Sequence, residues 1–336
     1  MAPHWTSFLL IRLPTALLVL ALAVEGVAAL LSDIPRLRHP MDARAIEASV
    51  PGPGSAVLLF GDSVTQDVAK SFDLGPADRV RDLTANKASG MPGAYLLLRR
   101  YLEANPPPRV LAFTVTPEFA GYVPDQATAD VYLTSVFEAH EEQAFLEGLG
   151  LTGTASGWWK PAILMPEASI FDRAVALFSG NGAGNGVADA PRDAPTPGRP
   201  ELPGGFDDDA ALTETMRSRL STPLSLAPGA GASWAAICDL SAAEGIGIAV
   251  RWAPVPRSVW REWTDTGQLS GLEAAIRAAG DGACSSVAFG DFSSDAPYPN
   301  AAFRDADHLE RPGWTGAYAH ALAGWIERLE DDGYGD

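Results

Sequence analysis

Residues 55–72 read SAVLLFGDSVTQDVAKSF, and the punctuation of that stretch decides the fold. Ser55 to Phe60 is a short, continuous apolar run, the pattern of a parallel strand buried on both faces. Gly61-Asp62-Ser63 breaks the run, and Val64 to Phe72 has helical character. A strand delivered through a tight turn into a helix is the opening of a βα unit. The rest of the chain repeats it.

Arg79 to Thr84 is expected as a second strand. Tyr95 to Glu103 is expected as a helix that stops before Pro106-Pro107-Pro108, and Arg109 to Val115 as a third strand closed by Pro117. Residues 128–149 and 165–179 have helical patterns. Gly245 to Trp252 and Ser286 to Gly290 supply two further strands, separated by helical Leu272 to Ala279. Gly313 to Leu329 closes the chain as an amphipathic helix. Strands alternating with helices imply an α/β domain over residues 55–336, with a mostly parallel sheet covered on both faces. Residues 180–209, rich in Gly, Pro, Ala and Asp without apolar periodicity, read as a flexible insertion within it. Asp207-Asp208-Asp209 lacks the spacing and glycine of a calcium loop and reads as a solvated acidic helix start. No metal or cofactor is called for.

The N-terminus carries a different signal. Phe8 to Leu31 is a 24-residue apolar segment, about 36 Å long as a helix and so long enough for a bilayer. Residues 1–31 are therefore expected to form a transmembrane anchor, with residues 32–54 as a stalk. The alternative is a secretory signal removed near Val27-Ala28-Ala29, because Arg12 and Glu25 bracket a short apolar heart. Both readings put residues from about 50 onward outside the cytoplasm. Cys238 and Cys284 are the only cysteines. They are either two buried thiols or one disulfide, and an oxidising compartment favours the second.

Composition narrows the partners. Hydrophobic residues at 47% and charged residues at 20% of the 336 support a sizeable core. Lys plus Arg number 24 against 42 Asp plus Glu, a net charge of −18, which excludes nucleic acid as a partner.

Two distant stretches carry the chemistry. Ser63 lies where a parallel strand meets a helix, at the carboxyl edge of the sheet where open α/β folds place their sites. Phe303-Arg304-Asp305-Ala306-Asp307-His308-Leu309 follows the last expected strand. A serine nucleophile needs an imidazole to take its proton and a carboxylate to fix the imidazole tautomer. Asp305 and His308, three apart on one turn, meet that need. Of the other histidines, His4 and His39 flank the apolar segment, and His140 and His320 sit in helical patterns. Asp307 reads as a surface carboxylate, and Asp62 as ordering its turn through local backbone bonds.

Gly61-Asp62-Ser63 and Asp305-x-x-His308, in this order at opposite ends of one domain, resemble the first and last blocks of the SGNH (GDSL-type) hydrolase and acyltransferase superfamily. The resemblance covers roughly residues 55–330. It implies a flavodoxin-like three-layer sandwich and a Ser63–His308–Asp305 triad acting on ester bonds. It further implies an oxyanion site from the amides of Ser63 and Gly90, the latter in Ala88-Ser89-Gly90 after the second strand. The chain departs from the family's third block, where Thr116 stands in place of an asparagine and could offer its hydroxyl instead. Membrane-anchored branches that transfer D-alanyl or acetyl groups to envelope polymers look similar and often lack that asparagine. The implied setting is the periplasmic side of the inner membrane, or secretion if residues 1–29 are removed. The implied substrate is an acylated carbohydrate or polymer, with a membrane acyltransferase as a possible partner. A catalytically weak scaffold binding such a polymer or partner is the alternative. Trp158, Trp159, Trp252, Trp260 and Trp263 invite a sugar-stacking reading, against the commoner one of core or membrane-interface residues, and Trp158-Trp159, in a glycine-flanked loop, is the best candidate.

Overall fold

The structure, a computed structural model, describes residues 11–32, 40–76, 78–133, 139–151, 218–219, 222–295, 298–305, 307–310 and 313–331. The expected helix over 165–179, the insertion over 180–209 and Trp158-Trp159 lie outside these residues. The described helices include α1 (Leu13–Ser32), α2 (Pro40–Ser49), α3 (Ser63–Ala69), α4 (Gly90–Ala104), α5 (Pro117–Ala120), α6 (Gln126–Tyr132), α7 (Ala139–Gly148), α8 (Pro228–Glu244), α9 (Arg257–Asp265), α10 (Gln268–Arg277) and α11 (Gly313–Asp331), besides two four-residue turns of helix at Ala279–Gly282 and Phe292–Asp295. The strands are β1 (Val57–Gly61), β2 (Val80–Asp82), β3 (Val110–Thr114), β4 (Gly247–Trp252) and β5 (Ala288–Asp291).

The five strands form one sheet in the order β2-β1-β3-β4-β5, with every neighbouring pair parallel. β1 is paired along both edges and covered on both faces, so all five of its residues are buried. Alternate side chains feed two cores. Leu58, Phe60, Leu111, Phe113, Ile248 and Val250 point to one side, where residues of α4, α8, α9 and α10 cover them. Val57, Leu59, Val110, Ala112 and Ala249 point to the other, against Val64 and Val68 of α3 and Tyr318, Leu322 and Ile326 of α11. This is an α/β arrangement with helices on both faces, compatible with the flavodoxin-like sandwich. Its strand order reverses between β1 and β3, and the carboxyl ends of two such strands are where open α/β sheets place their crevice.

Two N-terminal expectations change. Among the described residues no helix is long and apolar enough to cross a membrane, so the transmembrane helix is not found. The segment does form α1, but its uninterrupted apolar part, Leu13 to Val24, rises only about 18 Å before Glu25, short of a ~30 Å hydrocarbon core. The stretch read as a stalk contains α2, which belongs to the domain. Ala45 and Ala48 are buried in the first core. Arg44 is buried beside them and donates from Nη1 to Asp82 O at 2.8 Å and from Nη2 to Asp82 Oδ2 at 2.6 Å. A buried guanidinium needs such partners, and they pin α2 to the end of β2.

Cys238 of α8 and Cys284 form a disulfide, with Cα atoms 5.3 Å apart. It closes a loop spanning 46 residues that carries β4, α9 and α10. Loop closure of that length removes unfolded-chain entropy corresponding to about 4 kcal/mol. Replacing both cysteines by serine should therefore lower unfolding free energy by about 2–4 kcal/mol, read from denaturant titrations. Native protein should show no titratable thiol until it is reduced.

Candidate active site

Gly61 ends β1 beneath the side chain of Thr65, and a Cβ there would lie 2.6 Å from Thr65 Cβ. Only glycine permits that approach. The chain then turns at Asp62, the N-cap of α3, whose Oδ1 accepts the amide of Val64 at 3.0 Å. Its Oδ2 accepts both the amide of Thr116 at 2.8 Å and the Thr116 hydroxyl at 2.7 Å. Asp62 is 1% exposed, and burial pushes its carboxyl up from the ordinary aspartate value, against the pull of the Thr116 donors. The carboxylate thus ties the loop after β1 to the loop after β3, across the point where the strand order reverses.

A second buried link lies alongside. Thr65 Oγ1 donates to Thr114 O at 2.8 Å. With that proton committed, the hydroxyl of Tyr318 donates to Thr65 Oγ1 at 2.9 Å and accepts from Thr114 Oγ1. α11 is thereby fastened to α3 and β3, and the turn that precedes α11 is brought over Ser63.

That turn holds the other half of the site. Phe303 and Leu309 form an isolated antiparallel bridge and are buried in the second core. Between them Asp305 Oδ1 accepts the amides of Asp307 at 2.8 Å and His308 at 2.7 Å. Both Asp305 oxygens lie 3.1 Å from His308 Nδ1, and His308 Nε2 lies 3.1 Å from Ser63 Oγ. Nδ1–H directed at the carboxylate leaves Nε2 with a lone pair for the serine hydroxyl. Burial alone would raise the Asp305 carboxyl, but the amides of His308 and Asp307, with the imidazole, outweigh it and hold it below the ordinary value. Asp305 is half exposed and His308 a quarter exposed, so the site opens to solvent. Arg304 pairs with Asp67 of α3 at 3.0 Å, and Arg219 reaches Asp307 at 3.2 Å.

The structure brings Ser63, His308 and Asp305 together. It treats the three expected oxyanion donors differently. The Ser63 amide begins α3, where helix amides have no intrahelical acceptor. Gly90 sits at φ +57, and a Cβ there would come within 3.0 Å of Tyr122 O, so the position demands glycine. Its amide, however, points back to Lys87 O. Thr116 has one hydroxyl proton, and Asp62 holds it. The Thr116 hydroxyl is therefore a strut between loops rather than a donor to substrate. Of the remaining tryptophans, Trp252 and Trp263 are buried in the core, and Trp260 packs against it with its indole N–H on Asp291. Sequence reasoning missed Thr65, Glu118, Arg219 and Tyr318. No local pattern marks them, since each acts through a partner far along the chain.

No family model matches the chain, and no curated protein does.

Two outcomes follow from the carboxylates. Asp62→Ala removes a helix cap and leaves Thr116 without its acceptor, so unfolding free energy should fall by about 2–4 kcal/mol in denaturant titrations. Asp305, held low when folded, contributes stability that is present above the unfolded aspartate value and is lost as pH falls through the lower folded one. Carboxyl carbon NMR should show Asp305 titrating below ordinary aspartates, and His308→Ala should bring it back towards them.

Proposed function

We propose that the protein is an extracytoplasmic serine esterase or O-acyltransferase of the SGNH type, acting on acyl groups of a cell-envelope carbohydrate. The observation that carries the reading is the 3.1 Å contact between Ser63 Oγ and His308 Nε2, with Asp305 on the opposite ring nitrogen. Support for the family comes from the Gly61-Asp62-Ser63 and Asp305-x-x-His308 blocks. An export role for residues 1–31 and the Cys238–Cys284 disulfide support a location outside the cytoplasm. The carbohydrate substrate rests on the resemblance, and an open site suits a bulky acceptor.

In this mechanism Ser63 Oγ bonds to the acyl carbonyl carbon as its proton passes to His308 Nε2. Asp305 steadies the imidazolium through Nδ1–H. The carbonyl oxygen becomes an oxyanion facing the Ser63 amide. Collapse breaks the bond to the leaving alkoxide, which takes the proton from Nε2. Water or a sugar hydroxyl then gives its proton to Nε2 and attacks the acyl-enzyme, and Ser63 leaves with a proton restored. Hydrolysis and transfer differ only in that second nucleophile.

The scaffold reading has one observation in its favour: Gly90 N–H and the Thr116 hydroxyl are both already engaged. A fluorophosphonate probe separates the two readings. Labelling at Ser63, abolished in Ser63→Ala and His308→Ala, is expected; folded protein that resists the probe would leave the scaffold. On a generic acyl ester, either variant should lose about a thousandfold or more of kcat. Product analysis with and without a hydroxyl acceptor then distinguishes transferase from esterase.

A further inference from the structure

Arg219 is a buried cation that the mechanism above does not use. Its side chain is 10% exposed, with Nε donating to Glu118 Oε1 at 2.6 Å and Nη1 3.2 Å from Asp307 Oδ1. The guanidinium carbon lies 5.4 Å from the ring centroid of Trp263. Burial works against its charge, but Glu118, Asp307 and Asp62 together more than offset that and keep it protonated.

The position of these partners gives the cation its significance. Glu118 is in α5, two residues after Thr116, so it belongs to the loop that Asp62 binds. Asp307 adjoins His308. The catalytic turn is anchored at its base by buried Phe303 and Leu309 and by Arg304 N donating to His308 O at 3.0 Å. Its tip has two ionic ties to the rest of the domain among the described residues: Arg304–Asp67, which is solvent-exposed and so contributes little, and Arg219–Asp307. A planar guanidinium can serve two carboxylates at once in fixed directions, which an ammonium does not.

We propose that Arg219 is a positioning residue that bridges Glu118 and Asp307 and so holds the His308 turn in register with Ser63. The proposal rests on the acyl-transfer reading of the Ser63–His308 pair. Arg219 touches none of the reacting atoms; it acts by keeping Nε2 within reach of Oγ, where displacements of an ångström are costly.

The test compares Arg219→Gln, Asp307→Asn and the double variant. Each single variant should lower kcat and the rate of fluorophosphonate labelling by about tenfold to a hundredfold, with KM changed less than about twofold. Because both break one contact, the double variant should be no slower than the slower single one. Exchange at the amides of Asp307 and His308, both bound to Asp305, should quicken in each. Wild-type rates in the variants, defects that multiply, or unchanged amide exchange would overturn the proposal. Should Arg219→Gln fail to fold, Asp307→Asn decides, since it leaves Arg219 paired with Glu118. Wild-type protein that takes no label overturns the acyl-transfer reading and this proposal with it. Labelled wild type with unaltered variants overturns this proposal alone.

Discussion

The carboxylate of Asp62 is the constraint on which fold and site both depend. β1 and β3 are neighbours, yet the connections leaving their carboxyl ends run to opposite faces of the sheet, which is what opens a crevice there. Without a tie, the two loops would be free to splay. Asp62 supplies it by taking the Val64 amide on one oxygen and both Thr116 donors on the other. Burying a carboxylate is unfavourable, and three donors are what make it tolerable. The residue immediately after it is Ser63, so the interaction that closes the sheet edge also aims the hydroxyl.

Two aspartates flank the serine and imidazole in opposite surroundings. Asp62 is buried and pushed up; Asp305 is half exposed and held low. The first is spent on architecture and the second on the imidazole, and environment rather than residue type separates them. The Thr65–Tyr318–Thr114 hydroxyl cluster completes the frame by joining α11, which follows the His308 turn, to β3 and α3. A rigid bed thus underlies an open candidate site.

Much of this was legible in the sequence where the signal is local. The runs over 57–61 and 110–113 carry no polar side chain because β1 and β3 are covered on both faces. Ser63 was legible from the strand–turn–helix pattern, and Asp305 with His308 from their spacing on one turn. α8 was not: its buried positions Ala230, Ser233, Trp234, Ile237, Cys238 and Ser241 follow helical spacing, but small residues fill half of them and blunt the hydropathy pattern. α2 is not legible, because what it buries is Arg44, Ala45 and Ala48, and the arginine is satisfied by Glu47 of its own helix and by Asp82, 38 residues on. The bond from the Thr116 hydroxyl to Asp62, 54 residues earlier, is not legible, because a sequence does not say where a hydroxyl proton goes. Arg219 joins two loops far apart in the chain and leaves no trace in either.

The burial of Arg44 fixes where the folded unit begins. A peptidase acting near Val27-Ala28-Ala29 would release a polypeptide that keeps α2 whole. A cut placed beyond Ser49 would instead strip a helix from the flank of α4, bare the apolar surface against which Ala45 and Ala48 rest, and deprive Asp82 of its cation at the margin of the sheet. Any released form that keeps this packing must then retain Arg44 and the helix around it.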